Sequence, residues 1–526
     1  MRGFAVPHVL LGDAQAVVSD AVDRLDQERV VARIWDGDPE VWGGRPDTPE
    51  LSDRLGWLTC IDPMLSQVGS LEAFAAGVDA QRLVLLGMGG SSLAPEVMRA
   101  VLAGSSDHPE FIMLDSTAPA AVRAVQNGAA DSLYIVSSKS GTTLETLTLF
   151  RHFWQVSGER GSQFVAITDP GSPLETLATD RGFRATFTGD PTVGGRFSAL
   201  SPFGIVPAAL MGIDVPDFLE RAASMAAACR DDRPGKNPAL VLGATMGSLA
   251  LRGCNKLTLL LPPEWEVFGL WLEQLIAEST GKDGRGIVPV VQNDLDEPDG
   301  YGRDRLIVGV SAGGRRDEGR ERYLEGRSVR GHPVIRLDVA DARDLGAEFF
   351  RWEFATAVAA AVMRVNPFDQ PNVAESKRAT AQVLEAGTWT DPAHADDEEI
   401  DAFLDGLAPG DYVALLAYAA PWPELDDKLR LLATAIRRRF LVAVTVGYGP
   451  RYLHSTGQLH KGGPPTGHFI QFVESSPDVR VAEEDVTFDR VLRAQAAGDW
   501  QALAQRGRPI IRVADPAALR RRLEPA

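Results

Sequence analysis

The sequence predicts an α/β protein built on parallel sheets, and two observations carry that expectation. Short apolar runs alternate with helix-like segments along most of the 526 residues, which is the pattern of strands joined by crossover helices. Two turns rich in Gly, Ser and Thr, Gly87-Met88-Gly89-Gly90-Ser91-Ser92 and Ser137-Ser138-Lys139-Ser140-Gly141-Thr142-Thr143, each stand between a strand-like run and a helix-like run. A chain of this length is expected to hold about two to four domains.

Residues 1–80 have helical periodicity broken by Asp36-Gly37-Asp38-Pro39 and Gly43-Gly44-Arg45-Pro46, with no convincing strand, so they read as a helical lead-in. Residues 81–232 read as a first domain, with strands at Leu83–Leu86, Phe111–Leu114, Leu133–Val136 and Phe164–Thr168. The polar break Asp231-Asp232-Arg233-Pro234-Gly235-Lys236 opens a second domain, 233–392. Its expected strands are Ala239–Leu242, Leu257–Leu261, Ile287–Val291, Leu306–Val310 and Val334–Leu337, closed by an apolar helix from Gly346 to Val365. The acidic stretch Asp391–Glu399 introduces a third α/β unit, 393–526, with strands at Tyr412–Ala417 and Leu441–Val446 around a helix at Leu425–Arg439.

The two turns suit an anion. The first leads into Pro95-Glu96-Val97-Met98, where Pro95 fits a first helical position and the glycines let backbone approach a ligand. The second opens a helix whose apolar residues Leu144, Leu147, Phe150 and Trp154 recur at helical spacing. Thr142 with Glu145 three residues on reads as a capping box. Free N–H groups and hydroxyls at a helix start bind negative charge. Two such loops in consecutive strand–helix units describe a cradle for a phosphate.

Composition removes several classes of function. A net charge of −19 argues against nucleic acid as the main partner, because backbone-phosphate binding needs a concentrated basic surface. The three cysteines, Cys60, Cys229 and Cys254, form no CxxC pair, so neither a disulfide framework nor a zinc site is expected and a reducing cytoplasm is the natural compartment. No apolar run is long enough to span a membrane, and Met1–Leu11 lacks the plan of a signal peptide.

Five motifs then occur in a fixed order: Gly87-Met88-Gly89-Gly90-Ser91; Ser138-Lys139-Ser140-Gly141-Thr142-Thr143; Val193-Gly194-Gly195-Arg196-Phe197-Ser198; Gln274-Leu275-Ile276-Ala277-Glu278-Ser279-Thr280-Gly281-Lys282; and Asn366-Pro367-Phe368-Asp369-Gln370-Pro371 leading to Lys377. Over roughly residues 80–380 the chain thereby resembles glucose-6-phosphate isomerase, in details most of all the isomerase half of bacterial transaldolase/glucose-6-phosphate isomerase fusions. The resemblance implies two sugar-isomerase (SIS) domains, each a parallel sheet sandwiched by helices, here with the N-terminal helical lead-in and an additional C-terminal α/β domain.

It also implies roles. Moving a proton between C1 and C2 of an aldose phosphate needs a positioned carboxylate base, and Glu278 matches the family's base, with Gln274 one helical turn before it. Arg196 resembles the residue that faces the negative charge of the enediolate. Lys377, seven residues after Gln370, matches the lysine that helps open the sugar ring. The histidine that shares this step has three candidates. His460 in His454-Ser455-Thr456-Gly457-Gln458-Leu459-His460-Lys461 comes first and His454 next. His332 alone falls between Glu278 and Lys377, but it sits in a strand lead-in. The phosphate is expected among Ser138, Ser140, Thr142 and Thr143, with Gly90 and Ser91 beside the sugar and Gln274 and Gln370 completing the substrate contacts. No metal and no organic cofactor are implied. A sugar phosphate is the expected partner and a homodimer the expected assembly. A mannose-6-phosphate isomerase and a non-catalytic sugar-phosphate sensor are the competing readings.

Overall fold

The computed structural model describes residues 4–102, 108–292, 295, 301–314 and 317–523. Its strands, in chain order, are β1 (His8–Leu10), β2 (Arg82–Gly87), β3 (Glu110–Leu114), β4 (Ser132–Ser137), β5 (Phe164–Thr168), β6 (Ala185–Thr188), β7 (Lys256–Leu260), β8 (Val288–Val291), β9 (Arg305–Ala312), β10 (Val334–Val339), β11 (Tyr412–Tyr418), β12 (Ala443–Tyr448), β13 (Gly467–Val473) and β14 (Ile510–Arg512). They form three sheets, ordered β3-β2-β4-β5-β6, β1-β10-β9-β7-β8 and β12-β11-β13-β14. Every pairing is parallel except that of β1 with β10.

Numbered within its own unit and with β1 set aside, each sheet begins 2-1-3-4, the first adding a fifth strand at its edge, so the strand order reverses between the first and third strands. Ligands of open α/β sheets collect outside the carboxyl ends of the strands at such a reversal. In the first sheet these strands are β2 and β4, and the two Gly/Ser/Thr turns follow them directly.

Strands buried on both faces explain the near-continuous apolar runs. Leu83, Leu85, Leu133, Ile135, Val165 and Ile167 enter a core shared with Leu257, Leu259, Val308 and Ile335 of the second sheet. Their alternating neighbours Val84, Leu86, Tyr134, Val136, Phe164 and Ala166 enter a different core, shared with Tyr412, Ala414, Leu416 and Tyr418 of the third sheet. The first sheet is thus sandwiched, and the third unit is part of the central packing.

The structure corrects the sequence reading in several places. Ala239–Leu242, expected as a strand, lies at the start of the Leu240–Ala250 helix. A short apolar run has no period long enough to separate the two possibilities, and Asn237 Oδ1 caps the segment by accepting from the N–H groups of Ala239 and Leu240, each at 3.0 Å. This helix lies against Leu345–Met363, all of whose residues are buried. A Cβ on Gly243 would meet the Ala355 carbonyl oxygen at 2.3 Å and one on Gly247 the Ala359 carbonyl oxygen at 2.7 Å, so the glycines are what lets the helices touch. The lead-in, expected to hold no strand, supplies β1 as an antiparallel edge to the second sheet. The strands β6, β13 and β14 went unrecognised in the sequence, β6 because its alternate residues are exposed and β14 because it has only three residues.

The third unit is fixed internally by a buried ion pair. Lys461 Nζ lies 2.6 Å from Asp499 Oδ1 with both side chains at most 1% exposed, and Tyr452 Oη donates to Asp499 Oδ2 at 2.6 Å. Removing one partner leaves the other charge without compensation in a dry site. Asp499→Ala is therefore expected to lower unfolding free energy by about 3–5 kcal/mol in urea denaturation. A loss under about 1 kcal/mol, the range of surface pairs, would show that the pair does not carry this packing.

Candidate active site

The site is assembled at the Gly89-Gly90 turn. Gly89 has φ +54°, and a Cβ there would lie 2.7 Å from the His454 carbonyl oxygen and 2.8 Å from Gln274 Nε2. A Cβ on Gly90 would lie 2.0 Å from the Gly195 carbonyl oxygen and 3.0 Å from the Arg196 nitrogen. Ser198 Oγ closes this junction by donating to the Gly90 and Gly195 carbonyls at 3.1 and 2.6 Å. Close backbone approach thus brings the Gly-Gly-Arg turn and the loop that carries His454 onto this turn, and the Gln274 side chain joins the Glu266–Thr280 helix to it. Pro95 sits in the first turn of the following helix, Leu93–Leu102, as its third residue.

Glu278, at the end of the Glu266–Thr280 helix, is held from two sides. Arg196 Nη1 lies 3.4 Å from Oε1, and Gln274 Nε2 donates to Oε2 at 3.3 Å and to the His454 carbonyl at 2.8 Å. Arg196 and Glu278 are each 4% exposed. The arginine's other N–H groups donate to Ser279 Oγ at 3.0 Å, to the Pro367 carbonyl at 2.6 and 3.1 Å and to the Asp369 carbonyl at 2.8 Å. Lys282 joins the same loop, with Nζ 2.6 Å from Asp369 Oδ1 and a hydrogen bond to the Asn366 carbonyl. Burial, reinforced by the Arg196 charge, pushes the Lys282 ammonium down to about 7, while Asp369 pulls the other way.

At the second turn Ser138 Oγ lies 2.9 Å from Thr143 Oγ1 and Ser140 Oγ 3.0 Å from Thr142 Oγ1. Gly141 has φ +67°, and a Cβ there would meet the Leu174 nitrogen at 2.7 Å, so glycine is required. The expected capping box does not form: Thr143 is the cap of Leu144–Val156 and its side chain makes no cap hydrogen bond. Glu145 turns inward, with Oε1 2.9 Å from His454 Nε2 and accepting from Gln495 Nε2 at 2.6 Å. Burial works against its charge, yet the imidazole beside it and Lys377 farther out hold its carboxyl below the usual range.

The structure thus brings Glu278, Arg196, Gln274, Gly90 and His454 together, with Ser91 buried in the adjoining turn. Lys377 is exposed on the Val373–Ala386 helix, with a charge felt at Glu145, and Gln370 is exposed just before that helix. His460 is not part of the group. Its ring is packed among Tyr412, Tyr452 and Phe469 at centroid distances of 6.2, 5.9 and 5.0 Å, beside a cavity of about 40 Å³. Burial drives its pKa far down. His332 lies at the amino end of β10, packed on Tyr301, and burial with Arg327 and Arg305 pushes it down to about 4. Of the three histidine candidates, it is His454 that stands in this group. Glu145, Gln495 and Lys282 also stand beside this group and are not singled out by the sequence; for Glu145 the signal was its position directly after the Ser/Thr turn, read only as a cap. Among the described residues no three His, Cys, Asp or Glu side chains converge as a metal set, and no helix is long and apolar enough to cross a membrane.

Comparison with known proteins places this geometry. The family model described as phosphoglucose isomerase matches residues 66–288. Glucose-6-phosphate isomerase of Rubrobacter xylanophilus is 31% identical over 360 residues, covering 56% of this chain and 81% of that protein. The chain belongs to the glucose-6-phosphate isomerase family. A probable glucose-6-phosphate isomerase of Haloarcula marismortui is 29% identical over 371 residues, covering 62% of this chain and 84% of that one. Among solved structures, a glucose-6-phosphate isomerase from Chlamydia trachomatis superposes with TM-score 0.58 at 18% identity, over 70% of this chain and 86% of that chain. A hypothetical protein from Thermus thermophilus gives 0.61 at 22%, over 72% and 100%. These two share the fold.

For a member of this family, the Gly90 contact makes a test. Gly90→Ala places a methyl against the Gly195 carbonyl and must displace the Arg196 turn, so isomerase turnover is expected to fall on the order of 10²-fold. Turnover within about threefold of wild type, against that figure, would mean the turn does not set the position of Arg196.

Proposed function

We propose that this chain interconverts D-glucose 6-phosphate and D-fructose 6-phosphate, with Glu278 as the base and Arg196 as its electrostatic partner. The observation that carries the assignment is a buried carboxylate held between a guanidinium and an amide, beside a glycine turn at the switch point of a parallel sheet. The phosphate is held by Ser138, Ser140, Thr142 and Thr143, and Gly90, Ser91, Gln274 and Gln370 line the sugar.

Ring opening moves one proton onto the ring oxygen and removes one from the C1 hydroxyl. His454 and Lys377 share this step. Glu145 accepts from Nε2–H of the imidazole, which leaves Nδ1 as the nitrogen that exchanges a proton. Glu278 then takes the C2 proton of the open aldose, giving an enediolate with its charge on the C1 oxygen; the C2 hydroxyl proton passes to that oxygen, and Glu278 returns its proton to C1 to give the ketose. Arg196 is already fixed by four hydrogen bonds from its guanidinium, so it meets the developing oxyanion charge without reorganising. The same reading places the protein in the cytoplasm as a homodimer, as the family resemblance and three unpaired cysteines suggest. Sedimentation showing only monomer would remove the dimer.

The test is fructose 6-phosphate conversion in EDTA buffer, coupled to glucose-6-phosphate dehydrogenase. Wild type is expected to turn over, and Glu278→Gln to be slower by about 10²–10⁴; retained turnover in that variant would sink the assigned base. His454→Asn is expected to lose turnover on the order of 10²-fold, whereas His460→Phe keeps it within about threefold, since His460 only packs. The reverse ranking would return the ring-opening role to His460.

A further inference from the structure

We infer that Gln458 is a positioning residue for ring opening: it fixes the start of the Lys377 helix to the end of the Glu278 helix. The inference rests on the functional reading above. Gln458 is fully buried, and both ends of its amide are used. Its Nε2 donates to the Gly281 carbonyl at 3.0 Å and to Asn372 Oδ1 at 2.7 Å, and its Oε1 accepts from the Asn372 N–H at 2.9 Å. Gly281 caps the Glu266–Thr280 helix three residues after the base. Asn372 caps the Val373–Ala386 helix five residues before the lysine. One side chain therefore sets the distance between the two helices that present the base and the ring-opening acid.

The surroundings leave no slack at this junction. A Cβ on Gly462 would meet Asn372 Oδ1 at 2.4 Å, Gln458 Nε2 at 2.7 Å and the Gly281 carbonyl oxygen at 2.7 Å. A Cβ on Gly281 would meet Leu459 Cα at 2.5 Å. The first turn of the Lys377 helix is held again from the third unit, by Arg506 on Glu375 at 2.8 and 2.5 Å and by Ser376 Oγ on Asp499 Oδ1 at 3.4 Å. Lys377 itself is an exposed, flexible side chain, so the register of its helix decides where the ammonium can reach. Gln458 lies four residues after His454, beyond a break in the helical backbone at Ser455, and one short segment thus presents the histidine and anchors the lysine.

Gln458→Met keeps the volume and removes all three hydrogen bonds. Two rates on one substrate separate a positioning role from a general one: exchange between the anomers of glucose 6-phosphate, read by NMR, reports ring opening, and conversion to fructose 6-phosphate reports the whole reaction. Anomer exchange in Gln458→Met is expected to fall on the order of 10²-fold, with conversion falling alongside it, as for Lys377→Met. Glu278→Gln, by contrast, is expected to lose conversion and keep anomer exchange. Combining Gln458→Met with Lys377→Met should slow exchange no further than Lys377→Met alone, because the two act as one unit. Multiplying losses, or loss of conversion with exchange intact, would overturn the inference. Should Gln458→Met fail to fold, Asn372→Ala removes the partner from the half-buried side and must give the same pattern. A wild-type protein that neither exchanges anomers nor converts the sugar would instead refute the functional reading itself.

Discussion

Everything at the site depends on two residues that have no side chain. The Gly89-Gly90 turn lets three backbone segments approach to contact distance: the Arg196 turn, the loop carrying His454 and, through Gln274, the Glu278 helix. The contacts with the His454 loop and the Arg196 turn cannot be relieved by a rotamer change, because the colliding atoms are backbone atoms of elements already fixed by packing. The geometry around Glu278 and Arg196 is therefore a property of the packing of the sheets, and the side chains proposed to act there inherit it.

Charge is handled locally in a protein whose overall sign opposes its substrate. With a net charge of −19 the chain must attract a phosphate through a few sheltered donors. Arg196 and Lys282 are buried side by side, and what makes this tolerable is the 366–369 loop. The carbonyls of Asn366, Pro367 and Asp369 and the Asp369 carboxylate face the two cations and satisfy their N–H groups. Buried charge that is fully hydrogen-bonded is oriented in advance, which is the condition for stabilising an enediolate without rearrangement.

The sequence was most readable where local pattern and tertiary role coincide. Strands β2, β4 and β5 are buried on both faces, so their composition announced them, and the Gly-rich turns that follow carry their own backbone requirement. The Leu240–Ala250 helix was misread because its apolar start has no period, and its helical state depends on a partner helix more than 100 residues away, as does the packing of Gly243 on Ala355. Glu145 satisfied a capping pattern perfectly well in sequence; only the arrival of His454 and Gln495 from the third unit draws its carboxylate inward. The choice between His454 and His460 was likewise invisible, since residues six apart in one segment face different surroundings and spacing alone does not say which faces the sugar.

The hydrogen bond between Glu145 and His454 spans 309 positions, and the one between Glu145 and Gln495 spans 350. A chain leaving the ribosome amino end first exposes the phosphate turn, both glycine turns, Arg196 and Glu278 well before the histidine has been translated. Until the third unit emerges, Glu145 has no imidazole and the Lys377 helix has no anchor at Asn372. With the roles proposed for them, a chain made only as far as Glu278 would carry the phosphate turns and the base but neither the histidine nor the anchor of the lysine helix. Under the same roles, ring opening is tied to the docking of the third unit on the first, and a polypeptide cleaved ahead of His454 would lack it.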